Sequence, residues 1–360
     1  MSSLDSPYAT PPAPPVSPAA PAPPVLPADP KAADRLLFER LTGSQARIRS
    51  ELGKVIVGQQ AVVDQILIAL LAGGHCLITG APGLAKTLLV KSIAQILDLR
   101  FQRIQFTPDL MPADITGTEI LQETDGARRL AFVPGPIFAN LILADEINRT
   151  PPKTQAALLE AMQEHQVTAA GVRHQLEEPF FVLATQNPIE MEGTYPLPEA
   201  QLDRFMFNVV MDYLPEDDEV RVVTRTTAGG GEAIQPLFTG QDVLEFHRFV
   251  RQVPVAEELA RYAVRLAAAS RPRQAATPDF ITHWVTWGAG TRAGQFLVLG
   301  AKARALLHGR SHVSLEDIQT LALPVLRHRI LLNYRAEADQ VRVEDVIQKL
   351  LESVKAPASA

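Results

Sequence analysis

Apolar residues recur at steps of three and four from Leu36 to Val55 and again from Ala61 to Leu71, which predicts two helices early in the chain. The segment Val57-Gly58-Gln59 interrupts this period. A short continuous apolar run follows from Cys76 to Thr79. Such a run is typical of a strand that is buried on both faces. We therefore expect the folded part to begin with helices that lead into a buried strand.

Strand-like and helical patterns alternate in the next part of the chain. Residues 101–106 alternate like a strand, residues 140–143 and 180–184 form apolar runs, and helical periods occur at 88–97 and 156–164. Strands of nearly continuous apolar character, separated by helices, predict a parallel sheet with helices on both faces. We therefore predict an α/β domain over residues 31–215.

The hydrophobic pattern changes near Leu214. Residues 216–355 contain helical periods and almost no strand signal, which predicts a second, smaller all-α domain. Three consecutive glycines, residues 229–231, predict a mobile connection inside it. The predicted helices of this part cover residues 243–250, 257–269, 278–287, 295–308, 315–327 and 343–351.

Residues 1–30 differ in composition from the rest of the chain. They contain eleven of the 29 prolines, six alanines and only two charged residues, Asp5 and Asp29. Such a segment cannot bury enough apolar surface to offset the entropy of ordering it. We expect a disordered, partly polyproline tail, which serves as a spacer rather than as a docking segment.

Overall composition excludes several classes of function. The formal net charge of -6 provides no broad basic field, so we expect no nucleic-acid partner. The single cysteine, Cys76, excludes an internal disulfide framework and fits a reducing compartment. No apolar run approaches the roughly 20 residues that span a bilayer, and the N-terminus lacks the pattern of a signal peptide. We expect a cytoplasmic protein that does not insert into membranes.

The stretch GAPGLAKT, residues 80–87, lies between the strand at Cys76–Thr79 and the next predicted helix. It resembles the phosphate-loop pattern G-x-x-x-x-G-K-[ST], with Ala85 at the position of the second glycine. The loop's N–H groups and the helix N-terminus would hold phosphate oxygens, Lys86 would reach the β and γ phosphates, and Thr87 would bind Mg²⁺. We expect Gly80 and Gly83 to make the bend, and Ala85 to lie already in the helix with negative φ.

Polar residues follow two further apolar strands. Asp145 and Glu146 follow the run at 140–143, where they would support a metal ion and activate a water molecule, respectively. Asn187 follows the run at 180–184, with Gln186 beside it, and an amide there could orient the attacking water. A solvated strand end and a turn-forming Asn-Pro pair are the structural alternatives.

Two arginines are candidates for roles in the same chemistry. Arg204 ends the amphipathic stretch LPEAQLDRF and, in a ring of subunits, could enter the neighbour's γ-phosphate site. Arg292 follows Gly288-Ala289-Gly290 at a predicted helix start, where it could report the phosphate state to the second domain. An exposed arginine is the structural alternative for both.

Taken together, these motifs resemble the AAA+ superfamily and, within it, the MoxR family. The resemblance runs from about Leu36 to Leu351, so only the tail lies outside it. In this family the phosphate loop itself usually carries Ala-Lys-Thr, so Ala85 is not a departure. The stretches that resemble MoxR more than other AAA+ proteins are IVGQ at 56–59, GAPGLAKT at 80–87, QFTPDLMPADITG at 105–117, residues 132–164, and TYPLPEAQLDRF at 194–205.

The resemblance implies a P-loop AAA+ domain with a parallel sheet flanked by helices, followed by a smaller helical lid domain. It implies ATP and Mg²⁺ as cofactors, with Thr87 and Asp145 on the metal side. It makes Glu146 the general base, Asn187 the first sensor, Arg204 the arginine finger and Arg292 the second sensor. The nucleotide-binding residues that it implies are Val57, Gly58, Gly80, Pro82, Gly83, Leu84, Ala85, Lys86, Thr87 and Leu88.

The resemblance also implies an assembly and partners. Segments 105–117 and 167–175 match two insertions that face the ring or its pore in this clade and would contact a client, the second as a hairpin that turns at Gly171. We expect a homo-hexameric ATPase that remodels or matures protein clients, with a von Willebrand factor A domain partner. The alternatives are a metal-chelatase-type motor subunit, a DNA-associated motor, which the acidic charge disfavours, and a scaffold without turnover, which Glu146 disfavours.

Overall fold

A computed structural model of the chain describes residues 30–124, 127–188, 193–228, 232–274 and 277–357. The predicted N-terminal tail, apart from Pro30, and the glycine connection at 229–231 lie outside the described residues. No helix in the described ranges combines the length and the apolar character needed to cross a bilayer.

Helices and strands alternate up to Met211, and helices dominate afterwards. The first group contains α1 (Pro30–Gly53), α2 (Gln60–Ala72), β1 (Cys76–Gly80), α3 (Lys86–Ile96), β2 (Phe101–Gln105), α4 (Pro112–Thr116), β3 (Gly117–Thr124), β4 (Ala127–Pro134), β5 (Leu141–Asp145), a 3-10 helix (Ile147–Arg149), α5 (Pro152–Glu164), β6 (Gln166–Ala169), β7 (Val172–Gln175), β8 (Phe181–Gln186), α6 (Glu199–Leu202) and β9 (Phe207–Met211). The second group contains α7 (Glu216–Thr227), α8 (Gly240–Gln252), α9 (Glu257–Ala269), α10 (Asp279–Trp284), β10 (Val285–Trp287), α11 (Thr291–Leu307), α12 (Leu315–Leu326), β11 (Leu331–Leu332), α13 (Tyr334–Ala338) and α14 (Val343–Ser353).

Five parallel strands form the central sheet, in the order β2-β5-β8-β1-β9. The three inner strands are almost wholly buried, which explains why their sequences read as continuous apolar runs. The predicted parallel α/β sheet is therefore confirmed. Strand β9 is an edge strand that the apolar pattern did not reveal, because Asn208 interrupts the run and burial alternates along it.

Separate apolar cores lie on the two faces of this sheet. Leu141 and Leu143 of β5 belong to one core, whereas Ile142 and Ala144 of the same strand belong to the other. The second core is covered by α5, while the first contains α2 and α3 together with α8, α9, α11 and α12. The C-terminal helices thus share a continuous core with the sheet, and the domain boundary near residue 215 stays a prediction.

Close packing of α11 against the sheet depends on a glycine. A Cβ atom at Gly300 would lie 2.9 Å from Leu321 of α12, 3.0 Å from Met206 and 3.2 Å from Phe207 of β9. Because side chains from three elements meet here, no larger residue fits without displacing one of them. This contact sets how closely the C-terminal helices approach the strand beside β1.

The C-terminal part is not purely helical. The helix predicted over residues 278–287 ends at Trp284, and Val285–Trp287 pairs instead with β11 as a short antiparallel ladder. The pattern also missed α7, a helix with no buried residue. Most residues of α7 are polar, so it contains no apolar run that would reveal a helix, while four acidic residues in its first turn favour the helical state.

Two antiparallel hairpins project from the α/β part. Strands β3 and β4, which the pattern did not predict, pair along their whole length and expose Leu121 and Leu130 by 61% and 65%. The hairpin expected at 167–175 is confirmed as β6 and β7, and it turns through Ala170 and Gly171 with φ of 50° and 80°. The rings of Phe132 and His174 stack with centroids 4.0 Å apart, which joins the two hairpins.

A buried carboxylate organises the start of α12. Arg304 and Arg310 both donate hydrogen bonds to Asp317, and the backbone N–H and hydroxyl of Ser314 donate to the same side chain. Burial by itself would raise the pKa of Asp317, but these hydrogen bonds outweigh burial and lower the pKa to about 2. Since the folded-state pKa is depressed, ionised Asp317 stabilises the fold above its ordinary pKa near 3.8.

We expect Asp317→Asn to lower the free energy of unfolding at neutral pH by about 3–5 kcal/mol, because two arginines lose a buried counter-charge. Urea denaturation measures this change. The difference between the variant and the natural chain should narrow as the pH falls from 3.8 towards 2, where Asp317 becomes protonated. Asp345→Asn is the matched control, since Asp345 occupies the same capping position in α14 but has a side chain that is 43% exposed. Equal losses in the two variants would contradict the role of burial.

Candidate functional site

The loop between β1 and α3 has two glycines with different physical roles. A Cβ atom at Gly80 would lie 2.5 Å from the backbone oxygen of Met211, so this position needs glycine because β9 approaches closely. Gly83 has φ of 83° with nothing within 4 Å of a built Cβ, so glycine there serves the backbone conformation. The expectation that both glycines supply the bend therefore holds for Gly83, whereas Gly80 serves packing.

The expectation for Ala85 is wrong. Helix α3 begins at Lys86, and Ala85 precedes it in the left-handed region with φ of 57° and ψ of 26°. The chain must reverse its direction at this residue to enter the helix, which is why glycine suits the position in the general pattern. An alanine there bears a conformational cost of about 1 kcal/mol.

A cavity of about 470 Å³ lies over this loop, at the edge of the sheet where the inner strands end. Because β1, β5 and β8 are parallel and adjacent, residues at their carboxyl ends come together although they are far apart in sequence. The cavity is lined by Pro82, Gly83, Leu84, Ala85, Lys86, Thr87, Leu88, Arg103, Asp145, Glu146, Thr185 and Asn187. The cluster of candidates around the phosphate loop is thus assembled as the motifs predicted.

Lys86 is the cation nearest the start of α3. Its Nζ donates a hydrogen bond to the carbonyl oxygen of Gly80, at the end of β1. Partial burial lowers the pKa of Lys86, and the nearby carboxylates of Asp145 and Glu146 oppose this effect. The ammonium group therefore lies between the loop and the two acidic side chains, where it faces the cavity.

Both oxygens of the Asp145 carboxylate are hydrogen-bonded. Thr185 donates its hydroxyl to Oδ1 at 2.6 Å, and Arg103 donates to Oδ2 from Nε at 3.0 Å and from Nη2 at 2.6 Å. Thr185 also accepts a hydrogen bond from the backbone N–H of Glu146 at 2.8 Å. A single threonine of β8 thus links the two acidic residues that follow β5.

Glu146 lies at a sharp change of chain direction, with φ of 57°, just before the 3-10 helix. Its Oε2 accepts hydrogen bonds from Gln105 Nε2 at 2.9 Å and from Arg149 Nη1 at 3.0 Å. Gln105 in turn accepts from Arg103 at 2.7 Å. Strand β2 therefore contacts both acidic residues, Asp145 through Arg103 and Glu146 through Gln105.

Sequence reasoning missed Arg103, Gln105 and Thr185. The signal for the first two was their spacing on β2, since residues two apart in a strand share one face. Their significance depends on β2 pairing with β5, which places Gln105 opposite Asp145, and the order of strands is not readable from the pattern. Thr185 was passed over in favour of Gln186, although Thr185 is the residue that lines the cavity.

An adjoining apolar cavity of about 390 Å³ continues from the loop towards α7. It shares Gly83, Leu84, Ala85 and Leu88 with the first cavity and includes the expected Val57. Gly58 does not line it, but a Cβ atom there would lie 2.8 Å from Leu214 and 2.9 Å from Asp218, so glycine allows α7 to pack closely. The other lining residues are Val55, Ile56, Gln59, Leu89, Met211, Leu214, Glu219, Val222, Val223 and Thr226.

The two arginine candidates lie outside both cavities. Arg204 donates a hydrogen bond to the backbone oxygen of Leu159 at 2.6 Å. Arg292 pairs with Asp203 at 3.0 Å, and Arg329 donates to the same carboxylate at 2.8 Å. The fold of one chain therefore does not bring Arg204 or Arg292 to the phosphate loop, and their sensing and finger roles stay predictions.

The donor set around the loop suits a metal ion that arrives with a nucleotide. Among the described residues, no group of three or more His, Cys, Asp or Glu side chains could form a metal cage. The oxygens that line the cavity include the hydroxyl of Thr87 and the carboxylate of Asp145. Mg²⁺ is commonly bound by one or two protein oxygens together with substrate phosphates and water, so these residues fit Mg²⁺.

Comparison with known families matches two parts of the chain. Residues 75–207 match the model described as "ATPase family associated with various cellular activities (AAA)". Residues 282–350 match the model of an AAA lid domain. The first match covers four of the five strands of the central sheet together with the loop, the two acidic residues and Arg204. The second runs from the end of α10 into α14.

Relatives match over nearly the whole chain. "Chaperone MoxR1" of Mycobacterium tuberculosis is 41% identical over 92% of this chain and 86% of that protein. "Protein MoxR" of Methylorubrum extorquens is 32% identical over 87% of this chain and 95% of that protein. A crystal structure from Cytophaga hutchinsonii, provisionally described as an ATPase, has a TM-score of 0.84 with 42% identity and covers 90% of this chain and 98% of that one.

The left-handed conformation of Ala85 yields a test with a matched control in the same loop. We expect Ala85→Gly to leave the free energy of unfolding unchanged or to raise it by up to about 1 kcal/mol, since relief of strain offsets the added freedom of the unfolded chain. Ala81→Gly should lower it by about 0.5–1 kcal/mol, because Ala81 does not have positive φ. Urea denaturation of both variants measures the contrast. Similar losses in both would contradict strain at Ala85.

Proposed function

The chain belongs to the MoxR family of AAA+ ATPases, and from that premise we propose that it binds and hydrolyses Mg-ATP in the cavity over the phosphate loop. The observation that carries this proposal is the assembly of Lys86, Thr87, Asp145, Glu146 and Asn187 around one cavity. These residues come from the ends of two parallel strands, β5 and β8, and from the start of α3, where backbone N–H groups favour bound anions.

The residues divide the chemistry between them. Lys86 and the N–H groups of the loop bind the phosphates, while the adjoining apolar cavity beside Val57 takes the base. Thr87 and Asp145 hold Mg²⁺, which neutralises phosphate charge when bound. Glu146 accepts a proton from the attacking water, and Asn187 orients that water. The contacts from Gln105 and Arg149 fix the direction of the Glu146 carboxylate.

Glu146→Gln should retain ATP but lose hydrolysis by at least about 100-fold, because an amide cannot accept the proton while its shape and size are kept. Phosphate release and retention of radiolabelled ATP on a desalting column measure the two effects. Glu160→Gln, an exposed change on α5, is the matched control and should hydrolyse ATP normally. Turnover by Glu146→Gln at the normal rate would remove the general-base role.

The proposed working unit is a ring of identical subunits, with a hexamer as the family expectation. Arg204 supports this proposal, because an arginine finger needs a second subunit and Arg204 lies outside the cavity of its own chain. A guanidinium at the γ-phosphate stabilises the charge of the transition state. Its present partner is a backbone oxygen of α5, which it can exchange for a neighbour's phosphate when subunits meet.

For Arg204→Ala we expect intact ATP binding and a loss of hydrolysis of roughly 1,000-fold. Mixing this variant with Glu146→Gln subunits should restore part of the activity, because the second protein supplies Arg204 to a neighbour whose Glu146 is intact. Phosphate release across a series of mixing ratios measures the rescue. If the two variants assemble together but the mixture hydrolyses no more ATP than the sum of the separate proteins, an arginine finger acting in a neighbouring subunit is ruled out.

The proposed biological role is chaperone-like remodelling or maturation of protein clients. It is supported by the relative named as a chaperone and by the exposed Leu121 and Leu130 on the β3–β4 hairpin, which form an apolar surface. We further propose a partner with a von Willebrand factor A domain and a cytoplasmic location. Capture on the ATP-retaining Glu146→Gln protein tests the partner. Recovery of a von Willebrand factor A protein would support it, whereas recovery of a chelatase complex would favour a chelatase-type motor.

A further inference from the structure

Arg103 is a cation in the cavity to which the proposed ATPase mechanism assigns no role. It lies in the edge strand β2, where Ile104 points into the core while Arg103 and Gln105 share the opposite face. Since β2 pairs with β5 in parallel register, this face lies beside the end of β5. The side chain of Arg103 is 48% exposed, yet two of its donors converge on one oxygen of Asp145.

Asp145 has its hydrogen-bonding needs met within the protein. Thr185 occupies Oδ1 and the Arg103 guanidinium occupies Oδ2, and the carboxylate side chain is only 15% exposed. A carboxylate that supports Mg²⁺ must direct an oxygen to the ion or to one of its water ligands. Thr185 is fixed by two hydrogen bonds, one to Oδ1 and one from the N–H of Glu146, whereas Arg103 is half exposed, so Oδ2 is the oxygen that can be released to the metal.

A guanidinium and a divalent cation cannot share this oxygen at close range, because like charges repel and each needs the same lone pairs. Arg103 also has somewhere to move, since about half of its side chain faces solvent and the cavity that it lines would hold the phosphates. Phosphate oxygens are strong acceptors for a guanidinium. The Arg103 guanidinium could therefore exchange its hydrogen bonds to Asp145 for hydrogen bonds to phosphate with little loss of free energy.

We propose that Arg103 is a positioning residue that serves as the counter-cation of Asp145 in the metal-free protein and yields Oδ2 to Mg²⁺ when the metal arrives with nucleotide. This inference rests on the proposed Mg-nucleotide site. Competition of this kind raises the Mg²⁺ concentration that the site requires, because only the fraction of molecules with a free Asp145 can bind the metal. Arg103 also donates to Gln105, so its movement removes one of the contacts that position the side chain bound to Glu146.

The test is a Mg²⁺ titration of the binding of mant-ADP, followed by fluorescence, which needs no turnover. We expect Arg103→Met to lower the Mg²⁺ concentration at half-maximal enhancement of binding by at least about fivefold. Arg103→Lys should give a smaller decrease, since an ammonium keeps the charge but cannot match the two-donor fork. Thermal melting of each variant confirms that it is folded. If Arg103→Met fails to fold, Arg103→Lys and Arg103→Gln carry the test.

Arg149→Met is the matched control. It removes the same charge at the same pair of acidic residues, but from Glu146 rather than from Asp145. We expect its midpoint to move by less than about twofold. An equal shift in both variants would mean that any loss of positive charge near the acidic pair has the same effect, and would overturn the proposal. An unchanged midpoint in Arg103→Met, with or without a lower melting temperature, would mean that Arg103 only stabilises the fold. This result would also overturn the proposal.

The same titration separates this inference from the proposed function. If the natural chain does not bind mant-ADP, or binds it equally well in EDTA and in Mg²⁺, the proposed Mg-nucleotide site itself fails. If the natural chain shows Mg²⁺-dependent binding and Arg103→Met has the same midpoint, only the role of Arg103 fails. A lower midpoint that is specific to Arg103 supports both.

Discussion

Parallel pairing of β5, β8 and β1 is the constraint on which the rest of the site depends. Because adjacent strands run in the same direction, each one delivers its last residue to the same edge of the sheet. Lys86, Asp145 and Thr185 therefore meet over one loop although each belongs to a different segment. The continuous apolar character of these strands keeps them in the interior of the sheet, because both of their faces are buried.

Charge balance at this edge explains how the acidic pair is held. Asp145 and Glu146 are adjacent in sequence and lie in a partly buried position, where two uncompensated carboxylates would repel each other. Arg103, Lys86 and Arg149 supply positive charge around them, and Thr185 and Gln105 supply neutral hydrogen bonds. The network holds both carboxylates at the cavity, where the proposed site would present them to a metal ion and a water molecule. Its members lie on β2, on α3, on the 3-10 helix and at the ends of β5 and β8, so the site depends on how these elements pack together.

Two hairpins lie on one side of the site, and the C-terminal helices α11 and α12 lie on the other. The β6–β7 hairpin leads towards β8, which carries Thr185, and the stacked rings of His174 and Phe132 join the hairpin to the β3–β4 hairpin. On the other side, α11 and α12 pack against β9 through the close contact at Gly300. Arg292 lies in the first turn of α11 and is paired with Asp203, the neighbour of Arg204 in the chain. Neither arginine lines the cavity of its own chain.

The features that the sequence predicted by itself are local ones. The phosphate loop, the acidic pair after β5 and the position of Asn187 are each encoded in a few consecutive residues, and the apolar periods predicted the inner strands and most helices. The left-handed Ala85, the counter-cation Arg103, the link through Thr185 and the edge strand β9 were decided only by the tertiary structure. The last three depend on which segments become neighbours: β2 beside Asp145, β8 beside Glu146, and β9 beside Gly80. A pattern along one chain records the preference of each segment for burial, but the contacts between segments follow from the order of strands in the sheet.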